Sequence, residues 1–143
     1  MCRKIYKGVA KSMINYIENK PMSASEIADL RIRVGWNGME SCYNNPLMVS
    51  YYHIACYDGE KLVGYIDTVS NGVTDAYIQD LIVHPDYQGH GIGTELMNRI
   101  IAKLKENNIY MISVIYEESL LPFYERFGFV QKLCGQKQTF EIE

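Results

Sequence analysis

The chain has 143 residues, enough for one domain around a single core, and a formal net charge of −3 from 14 Lys and Arg set against 17 Asp and Glu. The scattered charge leaves no basic footprint for nucleic acid, and no apolar run approaches the roughly 18 to 20 residues of a membrane span, so a soluble cytoplasmic protein is expected. Cys2, Cys42, Cys56 and Cys134 are widely spaced, with no histidine at ligand spacing, which argues against a zinc site and against a disulfide framework.

Residues 1–12 are polar and unpatterned and are expected to form a loose tail on a single domain spanning 1–143. Met13-Ile14-Asn15-Tyr16-Ile17-Glu18 alternates enough for a first strand, which Asn19-Lys20-Pro21 breaks. Ser23 with Glu26 three residues on forms a capping box ahead of Ile27, Leu30, Arg31 and Val34, predicting a short helix that ends at Gly35. Gly35-Trp36-Asn37-Gly38 reads as a turn. Met39 to Ser50 is weakly patterned, with a break at Asn44-Asn45-Pro46, and fits a short helix or an irregular lid.

Tyr52–Tyr57 and Lys61–Asp67 flank Asp58-Gly59 as a hairpin, Asn71-Gly72 marks a second turn, and Ala76–Val83 makes a third strand. Then comes Gln88-Gly89-His90-Gly91-Ile92-Gly93-Thr94, three glycines at alternate positions. They open a helical stripe of Ile92, Leu96, Ile100 and Leu104 with Met97 and Ile101 beside it. A helix's first turn has unpaired N–H groups and the positive end of the macrodipole, so a glycine-rich entry there suits a phosphate, and Gln88 can add an amide donor. The dinucleotide fingerprint does not fit, since its third glycine falls on Thr94 or Leu96, and the Walker loop lacks its Gly-Lys-Ser/Thr.

After a stop at Asn107-Asn108, Tyr110–Ile115 reads as a buried strand reached by a crossover, and so parallel to the one before the glycines. A further helix is expected from about Leu120 to Arg126, closing at Gly128. Phe129-Val130 and Gln138–Ile142 would complete the sheet. The expected architecture is α+β, a mixed and mostly antiparallel sheet with helices on both sides.

The pattern Q-x-x-G-x-G between strand and helix resembles the acyl-CoA signature of the GNAT family of N-acetyltransferases. Leu121-Pro122-Phe123-Tyr124-Glu125-Arg126-Phe127-Gly128-Phe129 resembles that family's F-Y-x-x-x-G-F segment. The resemblance covers about residues 50–130. It implies a GNAT fold with a splayed parallel strand pair, and acetyl-CoA as co-substrate for transfer to a primary amine, a small molecule being favoured. It also implies main-chain contacts to acetyl-CoA from Leu81, Ile82 and Val83, and a pyrophosphate on the amides of Gln88, Gly89, His90, Gly91, Ile92, Gly93 and Thr94. Arg126 or Lys103 would meet the adenosine end, and Tyr124 would be the acid beside the sulfur. The acceptor pocket would draw on Arg31, Arg33, Trp36, Tyr43, Tyr51 and Tyr52.

Amine attack needs a proton removed, because an ordinary ammonium has a pKa near 10.4. Asp80, on a face with Ile82, is the first choice of base; Glu117 or Glu118 through a water, or ordered water alone, are the alternatives. His84 is expected to shape its turn, His90 to be exposed, and His53 to be a satisfied sheet histidine. No metal is expected. The family's members are often dimers, and no segment names an interface. A non-catalytic acyl-CoA sensor on the same fold is the alternative function.

Overall fold

In a computed structural model describing residues 13–142, five strands pair in chain order into one sheet: β1 (Ile14–Glu18), β2 (Tyr52–Asp58), β3 (Lys61–Ser70), β4 (Asp75–Val83) and β5 (Met111–Val114). The first four are antiparallel neighbours, and β5 lies parallel to β4. The connection between those two runs through helix α3 (Ile92–Glu106), because parallel neighbours need a crossover. The expected first strand, hairpin, third strand, long helix and parallel strand are all present. The expected tail at 1–12 lies outside the described residues.

Helix α1 (Ala24–Arg33) starts where its capping box stands: Ser23 Oγ accepts from the Glu26 N–H, and the Ser23 N–H donates to Glu26 Oε2 at 3.1 Å. Helix α2 (Glu40–Tyr43) is a single turn inside the weakly patterned stretch, and α4 (Leu121–Glu125) precedes Gly128. The two longer helices cover opposite faces of the sheet. Ile92, Leu96, Met97, Ile100 and Leu104 of α3 pack on Ile54, Cys56, Val63, Ile66 and Ile78, all within 2% of full burial. On the other face, Ile27 and Leu30 of α1 meet Tyr65 and Ile82 in a smaller cluster.

One irregularity in β4 positions everything that follows. Asp67 pairs with Asp80, but the next residue of β3, Thr68, pairs with Ile78, so Gln79 is an extra residue in the ladder. A bulge of this kind reverses the facing of a strand's side chains. Upstream of it, Ala76 and Ile78 belong to the α3 core; downstream, Ile82 belongs to the α1 cluster. The pairing with β5 also stops there, covering only Asp75 to Ile78. From Gln79 to Val83 the β5 side of β4 carries no strand partner.

The sheet does not continue as expected. Among the described residues no strand follows β5, and neither Phe129-Val130 nor Gln138–Ile142 pairs. Val130 and Phe140 stand 76% and 70% exposed, and the segment's end is held by Asn37, whose amide donates to the Ile142 carbonyl at 2.7 Å. Alternation of apolar residues specifies a face only where a core exists to receive it, and β5, four residues long, offers a short edge.

Candidate active site

The turn between β4 and α3 is held by its own side chains. His84 Nδ1 accepts from the Asp86 N–H at 3.1 Å and so caps a short 3₁₀ turn, Pro85–Tyr87. Burial, with Lys61 nearby, lowers the His84 pKa, which keeps the ring a neutral acceptor. Tyr87 is buried and donates to Asp58 at 2.6 Å.

The chain then passes through Gly89 at φ +77° and Gly91 at φ +89°, a region that costs other residues roughly 1 to 2 kcal/mol. Gly91 is the N-cap of α3 with no side-chain cap, and the first helical bond runs from Glu95 to the Gly91 carbonyl. The amides of Ile92, Gly93 and Thr94 therefore have no partner within the helix, at its positive end. A Cβ built on Gly89 would meet nothing within 4 Å, whereas one on Gly93 would touch Phe123 and Val83 at 3.6 Å.

Arg126 brings a charge to this cradle: its Nη2 donates to Thr94 Oγ1 at 3.0 Å, and its guanidinium lies 5.1 Å from the Phe123 ring centre. His90 is half-buried. Gln88 is placed differently from the expectation, its amide donating to the Val83 carbonyl at 2.9 Å. Lys103 is not part of the site. It sits in the last turn of α3, about 16 Å along the helix from Ile92, paired with Glu106 at 3.6 Å.

Beyond the bulge, Leu81, Ile82 and Val83 pair with Ile66, Tyr65 and Gly64 on one side only. Tyr124, on α4, is 5% exposed and stacks on Tyr116 with ring centres 4.3 Å apart. Burial, and then the neighbouring Tyr116 and Tyr77, push its pKa up to about 12, and its hydroxyl makes no hydrogen bond among the described residues. Its hydroxyl is thus held protonated, near Tyr77 of β4 and Tyr116 just beyond β5. Glu117 and Glu118 are exposed at the start of a turn.

The α1 face carries the buried charge. Arg31 reaches Asp80 at 3.0 Å, donates to the Asn37 carbonyl at 2.7 Å and stacks beneath Trp36. The Tyr43 hydroxyl donates to the other Asp80 oxygen at 2.5 Å. Asp80, the expected base, is therefore occupied on both oxygens.

Its cross-strand neighbour Asp67 is not occupied in that way. Asp67 is 3% exposed and accepts from the Asp80 N–H at 3.0 Å and the Ser50 hydroxyl at 3.4 Å, with the Tyr65 hydroxyl also against it. Burial, and then the facing Asp80 carboxylate, push its pKa up to about 7. Tyr65, with its hydroxyl beside Ser50 and Asp67, is also shifted upward by burial.

Asp67 lines a cavity of about 440 Å³ bounded by the 20–24 segment, α1, the 43–50 segment and β3, and reaching Gln79 at the bulge. His53 lines it too, its Nε2 donating to the Lys20 carbonyl at 2.7 Å. Of the residues expected at the acceptor site, Tyr43 lines this cavity and Arg31, Arg33, Trp36, Tyr51 and Tyr52 do not. Arg33 borders a separate depression with Glu60 and His84. Trp36 is 43% exposed over Arg31. Tyr51 receives a bond from Asn107, and Tyr52 donates to Glu18 at 2.5 Å, both against the α3 core. Asp67 carried the same signal that singled out Asp80, a lone carboxylate in an apolar strand, but its partner across the ladder was invisible in the sequence.

No group of three or more His, Cys, Asp or Glu among the described residues is arranged to hold a metal, and none of their helices is long and apolar enough to cross a membrane.

Residues 39–141 match the family model described as an acetyltransferase (GNAT) domain. The chain is 34% identical over 128 residues to an uncharacterized N-acetyltransferase, ycf52, of Pyropia yezoensis, covering 85% of this chain and 73% of that protein. The ycf52 protein of Porphyra purpurea is also 34% identical, over 56% of this chain, and the match spans only 46% of that relative's length. Among solved structures, the GNAT-family acetyltransferase SP0256 of Streptococcus pneumoniae superposes with a TM-score of 0.73 at 27% identity, over 91% of this chain and all of that one.

Proposed function

The chain belongs to the GNAT family of acetyltransferases, and from that premise we propose that it transfers an acetyl group from acetyl-CoA to a primary amine by direct attack within a ternary complex. One observation carries the proposal. The cavity holding Asp67 meets, at Gln79, the strand edge that β5 leaves open, and that edge leads to the uncapped start of α3.

Acetyl-CoA, when bound, supplies an acyl group activated as a thioester. The amides of Ile92, Gly93 and Thr94, with the open loop at Gly89 and Gly91, hold its diphosphate, and Arg126 adds charge at the same end. Main-chain groups of Leu81, Ile82 and Val83 on the β5 side take the extended arm as an added strand. Asp67 receives the proton that the acceptor ammonium must lose before attack, since a base near pH 7 is half ionised under working conditions. As the new C–N bond forms and the C–S bond breaks, Tyr124 gives its proton to the departing thiolate, and the second proton shed by the nitrogen as the amide forms restores the Tyr124 hydroxyl. Asp80 acts by position: its charge, secured by Arg31 and Tyr43, holds Asp67 in the accepting range. The cytoplasmic setting expected from the sequence is kept in this reading.

The test is release of free thiol from acetyl-CoA across a panel of diverse amines. Turnover is expected on at least one, and Gly91→Asp, which puts a negative side chain in the cradle, should remove both turnover and the stabilisation by CoA. Stabilisation by CoA with no thiol release from any amine would mark an acyl-CoA sensor instead.

A further inference from the structure

The walls of the Asp67 cavity say what kind of amine it receives. Met22 and Ile27 on one side and Leu47, Met48 and Val49 on the other are apolar, and Tyr65 closes the floor against the sheet. Leu47 and Val49 are 90% and 75% exposed at its mouth, large apolar surfaces held beside an open cavity. Methionines facing an aromatic floor make an adaptable lining for a ring or a branched chain.

The charged groups are as informative. Asp67 is the one carboxylate in the lining, and Asp80 and Glu26 stand outside it. The cations are committed elsewhere. Arg31, 8% exposed, is used by Asp80 and the Asn37 carbonyl. Lys20 lines the cavity, but its ammonium sits 3.8 Å from the centre of the Tyr57 ring, where it contributes to lowering the Glu26 pKa. The His53 ring is engaged as well, its Nε2 donating to the Lys20 carbonyl. The remaining titratable groups, Tyr43 and Tyr65, are both held protonated by burial. The cavity therefore presents one anion, apolar walls and no uncommitted cation.

Resting on the acetyl-transfer reading above, we infer that the acceptor is a primary monoamine on an apolar aryl or alkyl body, its ammonium received by Asp67 and its body by the Met22, Ile27, Leu47 and Met48 walls. A carboxylate beside the amine, as in an amino acid, would sit near the Asp67 charge with no uncommitted cation to balance it, and a second ammonium, as in a polyamine, would find no second carboxylate in the lining; both are disfavoured. A cavity of about 440 Å³ lies within the range of small-molecule sites, roughly 300 to 1,000 Å³.

The test uses probes that share a body or a charge. Thiol release is measured with phenethylamine, phenylalanine, spermidine and a short lysine-containing peptide. In parallel, melting temperatures are taken with each probe and no acetyl-CoA. Phenethylamine should exceed the other three by roughly 100-fold in kcat/KM, as expected where a group is left unpaired in the site. It should also stabilise the protein alone, and Asp67→Asn should abolish that stabilisation. Met48→Arg, which adds a cation to the wall, should weaken phenethylamine at least tenfold relative to phenylalanine and serves if Asp67→Asn does not fold. Equal or better transfer to phenylalanine, spermidine or the peptide would overturn the inferred acceptor and leave acetyl transfer standing. If no probe releases thiol, stabilisation by phenethylamine would support the pocket and sink only the transfer reading, while its absence would overturn the pocket too.

Discussion

Across the sheet, the α3 face buries Ile54, Val63, Ile66, Ile78, Leu96, Ile100 and Leu104, while the α1 face buries Arg31, Asp67 and Asp80 among a handful of apolar neighbours. On the α3 face the buried Thr68 hydroxyl is satisfied locally, donating to the Tyr52 carbonyl at 2.8 Å. Burying charge is costly even when paired, and a buried ion pair is weak evidence for stability. The α1 face therefore trades stability for a carboxyl group that keeps its proton up to about pH 7, and the apolar burial behind the sheet offsets that cost. The buried charges and the large apolar core are kept on opposite sides of the sheet.

The sharpest way to break this contrast is Asp67→Asn. Loss of the base should lower kcat/KM by roughly 100- to 10,000-fold, while the melting temperature at pH 7.5 should hold or rise, because an ionised buried carboxylate is removed. The same residue makes activity and stability respond oppositely to pH. With its pKa raised from 3.8 to about 7, the native state keeps a proton that the unfolded chain has released, so Asp67's contribution to stability falls as pH rises from about 4 to about 7. Activity should climb through the upper part of that window and level off above about 7. Denaturant melts and pH–rate profiles of the wild type and Asp67→Asn read both slopes; a stability slope unchanged in the variant would place the titration elsewhere.

Arg31→Met should cost about 3 to 5 kcal/mol by stranding the Asp80 carboxylate, and adding Asp80→Leu should recover most of that stability without restoring turnover. A double-mutant cycle by urea denaturation measures it; no recovery would mean that the pair supports the fold in some further way.

On the opposite face, Leu96→Ala should remove about 2 to 5 kcal/mol of stability, the substituted side chain being fully buried, and leave kcat per folded molecule unchanged at low temperature. A matching drop in kcat would show the two faces to be coupled.

The smallest effect is expected where one residue straddles both roles. Tyr124 belongs to the α3 core through its ring, but its hydroxyl makes no hydrogen bond among the described residues. Tyr124→Phe should change stability by under about 0.5 kcal/mol and lower kcat about tenfold with KM unchanged. The loss is modest because a thiol of pKa near 8.5 leaves tolerably without help. A rise in KM alone would assign the ring a binding role instead.

Much of the site was legible before any coordinates. Ser23 and Glu26 announced the start of α1, and the glycines announced the uncapped start of α3. Tyr124 and Arg126 were found from a nine-residue segment and stand near β4 and at Thr94, respectively. The Asp67 cavity, the proposed acceptor side, was not legible. Tyr51 and Tyr52 were expected to face it and instead serve the α3 core, and Asp67 was passed over because a strand's alternation does not announce which face will be covered by what.

From β1 to α4, sequence alone determined which elements form and in what order, because helical stripes, caps, glycines at positive φ and hairpin turns are settled among residues a few positions apart. Tertiary structure decided the bulge at Gln79, the early parting of β4 from β5, the pairing of Asp67 with Asp80, and the unpaired run after Gly128. Those depend on register between strands, a property of two segments at once: a slip of one residue reverses every side chain, and no local pattern records it.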